Sequence, residues 1–485
     1  MVDRVRVTPL LCAALGAVAG FYFLSSIALN AAIAVIIVPV FALCFFRVLA
    51  SLWQERKLQI TSYCITAFAA GLVLGICASV AGNVPVRPGM PEDKITAVEG
   101  VLLDDPRIIS GGRAIASLSL CRSAGAGSLR VSSSGEITVF FSQESAQRLK
   151  ESGRGTVVFA EGKLRSGDNG YTFSAVSLHV LKRAPTVERM RTAVRMGIAG
   201  RFDGKSWGGL ALALLLGIKD NLDTNLAASY RDSGCSYILA LSGMHLAVIA
   251  GLIAFLLKRP LGLKKSAVTG AVIICLYCFL VGPLPSLNRA ALMYLITVAA
   301  ILGALPKKPV SILALSFLIQ IVITPHAGNS ISFILSYLAL AGILVIGQPL
   351  YSLATGKVPD FLLRPLTVSV GAFLATAGVI GFVFGKIAPV GIVAGLALVS
   401  LTTVFMTCSM LWLLLDIFSL SGLLDLPLSL LYQLMEKIVS LAGSVPSVAA
   451  ANPAVILEIS LAIPLLIAAL EYKRRFSLFR PQPFP

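Results

Sequence analysis

The sequence predicts a polytopic α-helical membrane protein that carries one small all-β domain outside the bilayer. Three observations predict it. Of 485 residues, 57% are hydrophobic and only 13% are charged, whereas a soluble domain is about a quarter charged. Apolar runs near the spanning length of about 20 residues recur along most of the chain. One segment, 83–185, interrupts them with polar residues, Pro/Gly turns and short alternating stretches.

The start, MVDRVRVTPLLCAALGAVAGFYF, sets basic residues before an apolar run. A second run follows at once, so this reads as a first spanning helix rather than a cleaved leader. Residues 9 to 50 hold both runs, broken near Ser25–Ser26 and Asn30, and residues 59 to 82 hold a third. The N-terminus and the loop RVLASLWQERKLQ, with Arg47, Arg56 and Lys57, are basic and belong on the cytoplasmic side. Three crossings, in a first domain of residues 1–82, then place residue 83 outside.

Residues 83–185 contain ITAVEGVLL, AIASLSL, EITVFF, GTVVFAEGKL and GYTFSAVSLHVL. Short strands between turn signals indicate a small antiparallel sandwich or barrel. Five strands in roughly a hundred residues fit an OB-like barrel, and they fit a generic β-domain equally; periodicity does not separate the two. Acids and bases are balanced here, so no basic face shows. Residues 186–205 read as an amphipathic basic helix, with Val187, Met190, Val194 and Ile198 on one stripe. Arg189, Arg191 and Arg195 fall largely off that stripe. On the outer side such a helix either rests on anionic lipid headgroups or forms a phosphate-attracting rim at a pore entrance.

From 206 to 471 the apolar runs fall near 234–257, 266–282, 289–305, 309–325, 331–353, 364–384, 390–418, 428–447 and 454–471. If the short run 207–219 does not cross, the linkers KRPLGLKK and PKKP and the terminal KRRFSLFR all lie inside. That gives roughly twelve crossings with both ends cytoplasmic, including the basic tail 472–485. The run 428–447, with Glu436 and Lys437, reads as a crossing, an interfacial helix or the lining of a cavity. A multi-pass protein of the cytoplasmic membrane is the expectation. The net charge of +17 fits basic cytoplasmic loops, and it also fits an anionic partner such as nucleic acid.

Nine cysteines give no disulfide framework. Cys12, Cys44, Cys64, Cys77, Cys235 and Cys408 are isolated in apolar runs, where cysteine acts as a small hydrophobe. Cys275 and Cys278 form a CxxC inside AVIICLYCFLVG, which reads as packing. The three histidines, His179, His245 and His326, are far apart, so no metal site is expected. No GxxxxGK[ST] loop is present, no cofactor is expected, and no enzyme site of recognised type appears.

The candidate chemistry is polar and lies inside apolar sequence. In SGCSYILALSGMHLAVIAG, Ser242 and His245 are three apart, on one face if the run is helical, and Tyr237 extends that face. Gly243 between them permits close approach of another backbone. Gly282-Pro283-Leu284-Pro285 ends one run, and Ser286, Asn288 and Arg289 open the next. Broken helix at membrane depth is tolerated only inside protein or beside water. A helix starting near Ser286 offers donors to an anion, and Arg289 adds a fork suited to phosphate. Each also has a plainer reading. Ser242 bonds within its helix, His245 packs, and Arg289 snorkels or pairs with Asp220, Asp223 or Asp232.

LLLGIKDNLDTNLAASYRDSGCSYILALSGMHLAVIAG, from Leu214 to Gly251, resembles the signature of the ComEC competence family. Its LLLG segment, Ser233–Gly234 and the Ala240-Leu241-Ser242-Gly243-Met244-His245 core carry the likeness. GPLPSLNRAALM resembles the family's Ser-x-x-Arg-Ala segment through Ser286, Arg289 and Ala290, and SFILSYLALAGIL resembles its third block. The resemblance implies a channel for single-stranded DNA across the cytoplasmic membrane in natural transformation. It implies single-stranded DNA and membrane lipids as partners, with a DNA receptor and a cytoplasmic motor or single-strand-binding protein. The sequence departs from the family in three places. Tyr237 stands where a histidine is frequent. Ser330 and Ile334 stand near places that usually hold Asp and Gln. The chain ends at Pro485 without a metallo-β-lactamase-like domain, so a separate nuclease is expected. Two other functions stay open on the residues alone: a transporter of a smaller anion or lipid, and an intramembrane hydrolase using Ser242 and His245. The hydrolase requires a third group to orient the imidazole.

Overall fold

The computed structural model describes residues 9–24, 58–82, 86–109, 112–125, 130–149, 152–167, 170–356 and 359–449. The second apolar run of the first 50 residues, the basic loop after it, the run 454–471 and the tail 472–485 lie outside the described residues.

Helices α1 (Pro9–Leu24) and α2 (Leu58–Gly82) pack backbone to backbone. The cause is a GxxxG pair on each helix, Gly16/Gly20 and Gly71/Gly75. A Cβ at Gly16 would overlap the Phe68 carbonyl oxygen, and one at Gly71 that of Ala13. Small residues at such crossings allow this approach where no hydrophobic drive exists between helices. The pair is tied to the rest of the helices at its ends. Tyr22 donates its hydroxyl to the Gly328 carbonyl at 2.8 Å, and His326 Nδ1 donates to the Gly82 carbonyl at 2.7 Å.

The polar segment folds as seven strands: β1 (Ile95–Leu102), β2 (Arg107–Ile108), β3 (Ala114–Gly125), β4 (Arg130–Ser132), β5 (Glu136–Phe141), β6 (Val157–Gly167) and β7 (Gly170–Lys182), with α3 (Gln143–Leu149) between β5 and β6. The five alternating stretches of the sequence are β1, β3, β5, β6 and β7. Their pairings run β1–β6–β7–β5–β3, and β3 returns to pair with β1. Alternate residues point inward and build the core, including Val98, Leu118, Ile137, Phe141, Val158 and Phe173. The sheet is mixed rather than purely antiparallel. β5 and β7 run parallel, since α3 and β6 carry the chain across between them. Hydrophobic alternation is the same for either strand direction and cannot report it.

The helices continue with α4 (Thr186–Arg201), α5 (Gly208–Leu216), α6 (Thr224–Asp232), α7 (Ser236–Leu239), α8 (Gly243–Val281), α9 (Pro285–Leu302) and α10 (Pro309–Ile323). Then come α11 (Ile331–Gly342), a π-helical turn over Ile343–Gly347, α12 (Gln348–Ala354), α13 (Asp360–Phe384) and α14 (Val390–Asp416). A short β8 (Lys386–Ile387) pairs with β9 (Val448–Ala449), and α15 (Asp425–Gly443) lies between α14 and β9.

Among the described residues, five helical stretches are long and apolar enough to cross a membrane: Gly243–Val281, Pro285–Leu302, Ile331–Ala354, Asp360–Phe384 and Val390–Asp416. Three shorter apolar helices accompany them: Pro9–Tyr22, Thr66–Gly82 and Pro309–Ile323. The apolar run 234–257 from Gly243 onward and the run 266–282 become one helical stretch broken at Gly262, which holds φ 73° just after Pro260. At nine residues, α5 is about 14 Å long at 1.5 Å per residue, too short to span. It is buried instead, in an apolar core with Phe202, Trp207, Phe405 and Trp412. The helix α15 buries Leu428, Met435, Val439 and Ala442 on one face and exposes Glu436 and Lys437.

Candidate functional site

The LLLG segment and the Ala-x-Ser-Gly-x-His core meet in space. Gly217 ends α5 in the left-handed conformation, φ 70°, which an L side chain rarely adopts. A Cβ there would lie 2.7 Å from Leu241 Cδ1, so the glycine lets the core close down on α5. Tyr277 of α8 donates its hydroxyl to the Leu215 carbonyl at 2.8 Å and fixes the same junction.

The run through Ser242 is not one continuous helix. The chain is extended at Ala240 and Ser242, so Ser242 is the N-cap of α8 rather than a residue on its face. Its Oγ accepts from the Met244 N–H at 3.3 Å. His245 reaches back, and its Nδ1 accepts from the Ser242 N–H at 3.1 Å. The Ser242 Oγ lies 3.1 Å from the same Nδ1. A serine and a histidine three apart therefore form a capping box, with imidazole in the place usually taken by Glu or Gln. With Nδ1 accepting, the neutral ring carries its proton on Nε2. That atom is buried and has no partner among the described residues. The Ser–His distance meets the first requirement of a hydrolase, while no described group orients the imidazole.

Arg289 lies on α9 just past the break at Gly282–Leu284, and it is 5% exposed. Its guanidinium carbon lies over the Tyr337 ring of α11, 5.5 Å from the centroid, a cation–π contact. Nη2 faces the first turn of α8: a Cβ at Gly243 would lie 3.4 Å from it and 3.4 Å from Ala290 Cβ. Nε and Nη1 have no partner among the described residues. The acids that the sequence offers are engaged elsewhere. Asp220 accepts from the Ile108 N–H, Asp223 caps α6, and Asp232 pairs with Lys386 at 2.9 Å.

Three residues that sequence reasoning missed complete this region. The Tyr337 hydroxyl donates to Gln320 Oε1 at 2.9 Å and lies 3.4 Å from Ser316 Oγ. Gln320 Nε2 donates to the Pro285 carbonyl at 3.2 Å. The signal was present: Gln320 is the lone amide in SILALSFLIQIVI, and Tyr337 sits in the third motif block. Nearby, the Oγ atoms of Ser286 and Ser332 are 3.2 Å apart. Buried polar groups in apolar helices thus link α9, α10 and α11 around Arg289. Tyr237, by contrast, faces α14, where a Cβ on Gly395 would lie 2.5 Å from its hydroxyl.

The three rim candidates of α4, Arg189, Arg191 and Arg195, divide; its fourth arginine, Arg201, is exposed at the helix end and pairs with Asp416 at 2.7 Å. Arg191 is 4% exposed; it ion-pairs with Asp105 and, at 2.7 Å, with Glu188. Arg195 donates to the carbonyls of Leu280 at 3.0 Å and Val281 at 2.7 Å, and its Nε lies 3.7 Å from Asp105. Burial lowers the Arg195 pKa from its usual value, with Asp105 opposing. Of the three, only Arg189 is exposed. The helix is turned inside out relative to a simple rim. The C-terminal carbonyls of α8 and the Asp105 carboxylate attract the guanidiniums inward, which leaves Val187 and Met190 62% and 65% exposed. Arg191 and Arg195 thereby hold the β-domain and α4 onto the end of α8. Beside them is a cavity of about 260 Å³ lined by Arg154, Glu188, Arg191, Gly282, Pro283 and Asn288, among others. Asn288 opens toward that cavity, while Arg289, one residue on, belongs to the bundle interior.

Comparison with known proteins places this site in context. A family model described as "Competence protein" matches residues 214–475, more than half of the chain, including the cap at Ser242 and the polar groups around Arg289 but not α4 or the β-domain. ComE operon protein 3 of Bacillus subtilis (strain 168) is 25% identical over 284 residues, 56% of this chain and 35% of that protein. An uncharacterized protein of Aquifex aeolicus (strain VF5) is 28% identical over 202 residues, 41% of this chain and 46% of that protein. The alignments therefore cover less than half the length of either relative.

Proposed function

The chain belongs to the competence protein family, and on that premise we propose that it forms a path for single-stranded DNA across the cytoplasmic membrane during natural transformation. The observation that carries this reading is the polar seam from Ser242 and Gly243 through Ser286 and Arg289 to Tyr337 and Gln320. It runs among helices that are apolar enough to cross a membrane. A strand bearing one charge per nucleotide requires such a seam, because neither phosphate nor cation is tolerated in hydrocarbon. The broken backbone at Gly282–Leu284 and the guanidinium beside it, unpartnered at Nε and Nη1 among the described residues, support this reading.

The remaining parts take their places around this path. Five strands in a closed ring, one parallel pair, and a helix between the third and fourth ring strands support reading the domain between α2 and α4 as OB-like. Roughly twelve crossings with both ends cytoplasmic would set that barrel on the outer side. In this reading, docking of incoming DNA falls to a receptor and cytoplasmic pulling to a motor or single-strand-binding protein. Ser242 and His245 are given a helix-capping role and no bond-breaking one.

The test is a photo-crosslinking amino acid at Ser286, compared with one at Leu276, which is 62% exposed on the flank of α8. A labelled strand arrested in transit by a bulky end should crosslink at 286 and not at 276. Crosslinking at neither position, with uptake intact, would move the strand's path elsewhere.

A further inference from the structure

A guanidinium buried among apolar helices without a counter-charge is strongly unfavourable. Among the described residues, Arg289 is in that position. The Tyr337 ring lies 5.5 Å from its central carbon, a cation–π contact that supplies no counter-charge. Nε and Nη1 point to no acceptor among the described residues. The edge that Nη2 presents looks onto the first turn of α8, a 39-residue helical stretch whose N-terminal end is electropositive. The residue at that point is Gly243, the one choice that leaves no side chain over the guanidinium. A Cβ there would occupy the space 3.4 Å from Nη2. Arg289, with two donors unpartnered among the described residues, thus stands beside the first turn of α8, where Gly243 leaves Nη2 uncovered.

We propose that Arg289 and the first turn of α8 form a site for one oxyanion of the phosphate class. Free inorganic phosphate holds the site when no strand is present, and a phosphodiester of the strand displaces it during passage. The second half of this statement rests on the DNA-path reading; the first half does not. The resident anion supplies the missing counter-charge, so the empty bundle is not left with a bare cation. Held as the dihydrogen monoanion, this phosphate exchanges for an arriving phosphodiester without a net change of buried charge.

The test uses the purified full-length chain in detergent free of phospholipid. Inorganic phosphate should raise the thermal unfolding midpoint of the wild type in a saturable manner. Arg289→Gln should lose that response and, in phosphate-free buffer, be at least as stable as wild type, because it removes an uncompensated charge. Gly243→Ala keeps the arginine and fills the space beside Nη2, so it should weaken the response while folding normally. A short single-stranded oligonucleotide should displace radiolabelled phosphate from the wild type. Equal phosphate responses in wild type, Arg289→Gln and Gly243→Ala would overturn the site. So would an Arg289→Gln protein that is less stable than wild type without phosphate, since that marks a packing arginine. Phosphate binding that no oligonucleotide displaces would leave the resident-anion site standing and sink the strand reading. Oligonucleotide binding through Arg289 with no phosphate effect would do the reverse.

Discussion

Asp105→Asn should loosen the β-domain from the helices by a measurable amount. Asp105 is the shared anion of two inward-facing guanidiniums, whose side chains are 2% and 12% exposed. Breaking a fully buried pair costs about 3–5 kcal/mol, but neither arginine is left stranded here. Arg191 keeps Glu188 at 2.7 Å, and Arg195 keeps two α8 carbonyls. The loss is therefore nearer that of a hydrogen bond to a charged group, about 1.5–3 kcal/mol. At about 2 kcal/mol the population with the domain undocked rises roughly thirtyfold. Trypsin cleavage after Arg183, exposed in the link between β7 and α4, reads that population when opening is fast relative to cutting. Asp105→Asn should speed cleavage by about that factor, and Asp93→Asn, at an exposed position, should not. An unchanged rate in Asp105→Asn would refute the arginine latch as what holds the domain.

Three further perturbations test other parts of the account. Gly71→Leu should lower the unfolding midpoint sharply, since its side chain meets the Ala13 backbone and overpacking costs about 1–3 kcal/mol or more; Val73→Leu, at an exposed position, should leave the midpoint unchanged. Gly217→Ala should cost about 1–2 kcal/mol from the left-handed backbone alone, with more from Leu241, read as a lower denaturant midpoint; an equal midpoint would mean the LLLG turn relaxes freely. Burial raises the Asp104 pKa above 3.8, against the Ser117 N–H bond that opposes it. A raised folded pKa gives stability that is present below 3.8 and lost as pH rises through the raised value. Asp104→Asn should therefore flatten the acid-range decline of the unfolding midpoint, and an identical slope in both proteins would contradict the burial.

Helices and strands were legible in the sequence where their periodicity was unmixed. The five alternating stretches became the five ring strands, and the runs from 331 to 418 became α11 to α14. The short run 207–219 became a buried helix too short to span. The rest depended on partners that a single segment does not name. Nothing in EITVFF or GYTFSAVSLHVL tells that they run parallel. The glycines of α1 and α2 read as ordinary apolar filler until two GxxxG pairs are set face to face. Ser242 and His245 were visible as a pair, but their joint role as a cap required seeing that the chain is extended at Ala240. Arg189, Arg191 and Arg195 were rightly set apart from the apolar stripe, while which face turned inward depended on Asp105 and the end of α8. Arg289 was identified from its motif; Tyr337 and Gln320, which surround it, lie in other helices.

The central claim is that DNA passes through this chain. The most direct measurement is entry of end-labelled DNA into a nuclease-protected cytosolic pool, in source cells with and without the chain, at matched membrane abundance of each variant. The account predicts loss of entry on deletion, rescue by wild type, and no rescue by Arg289→Gln. Unchanged entry after deletion in a transformable host would contradict it.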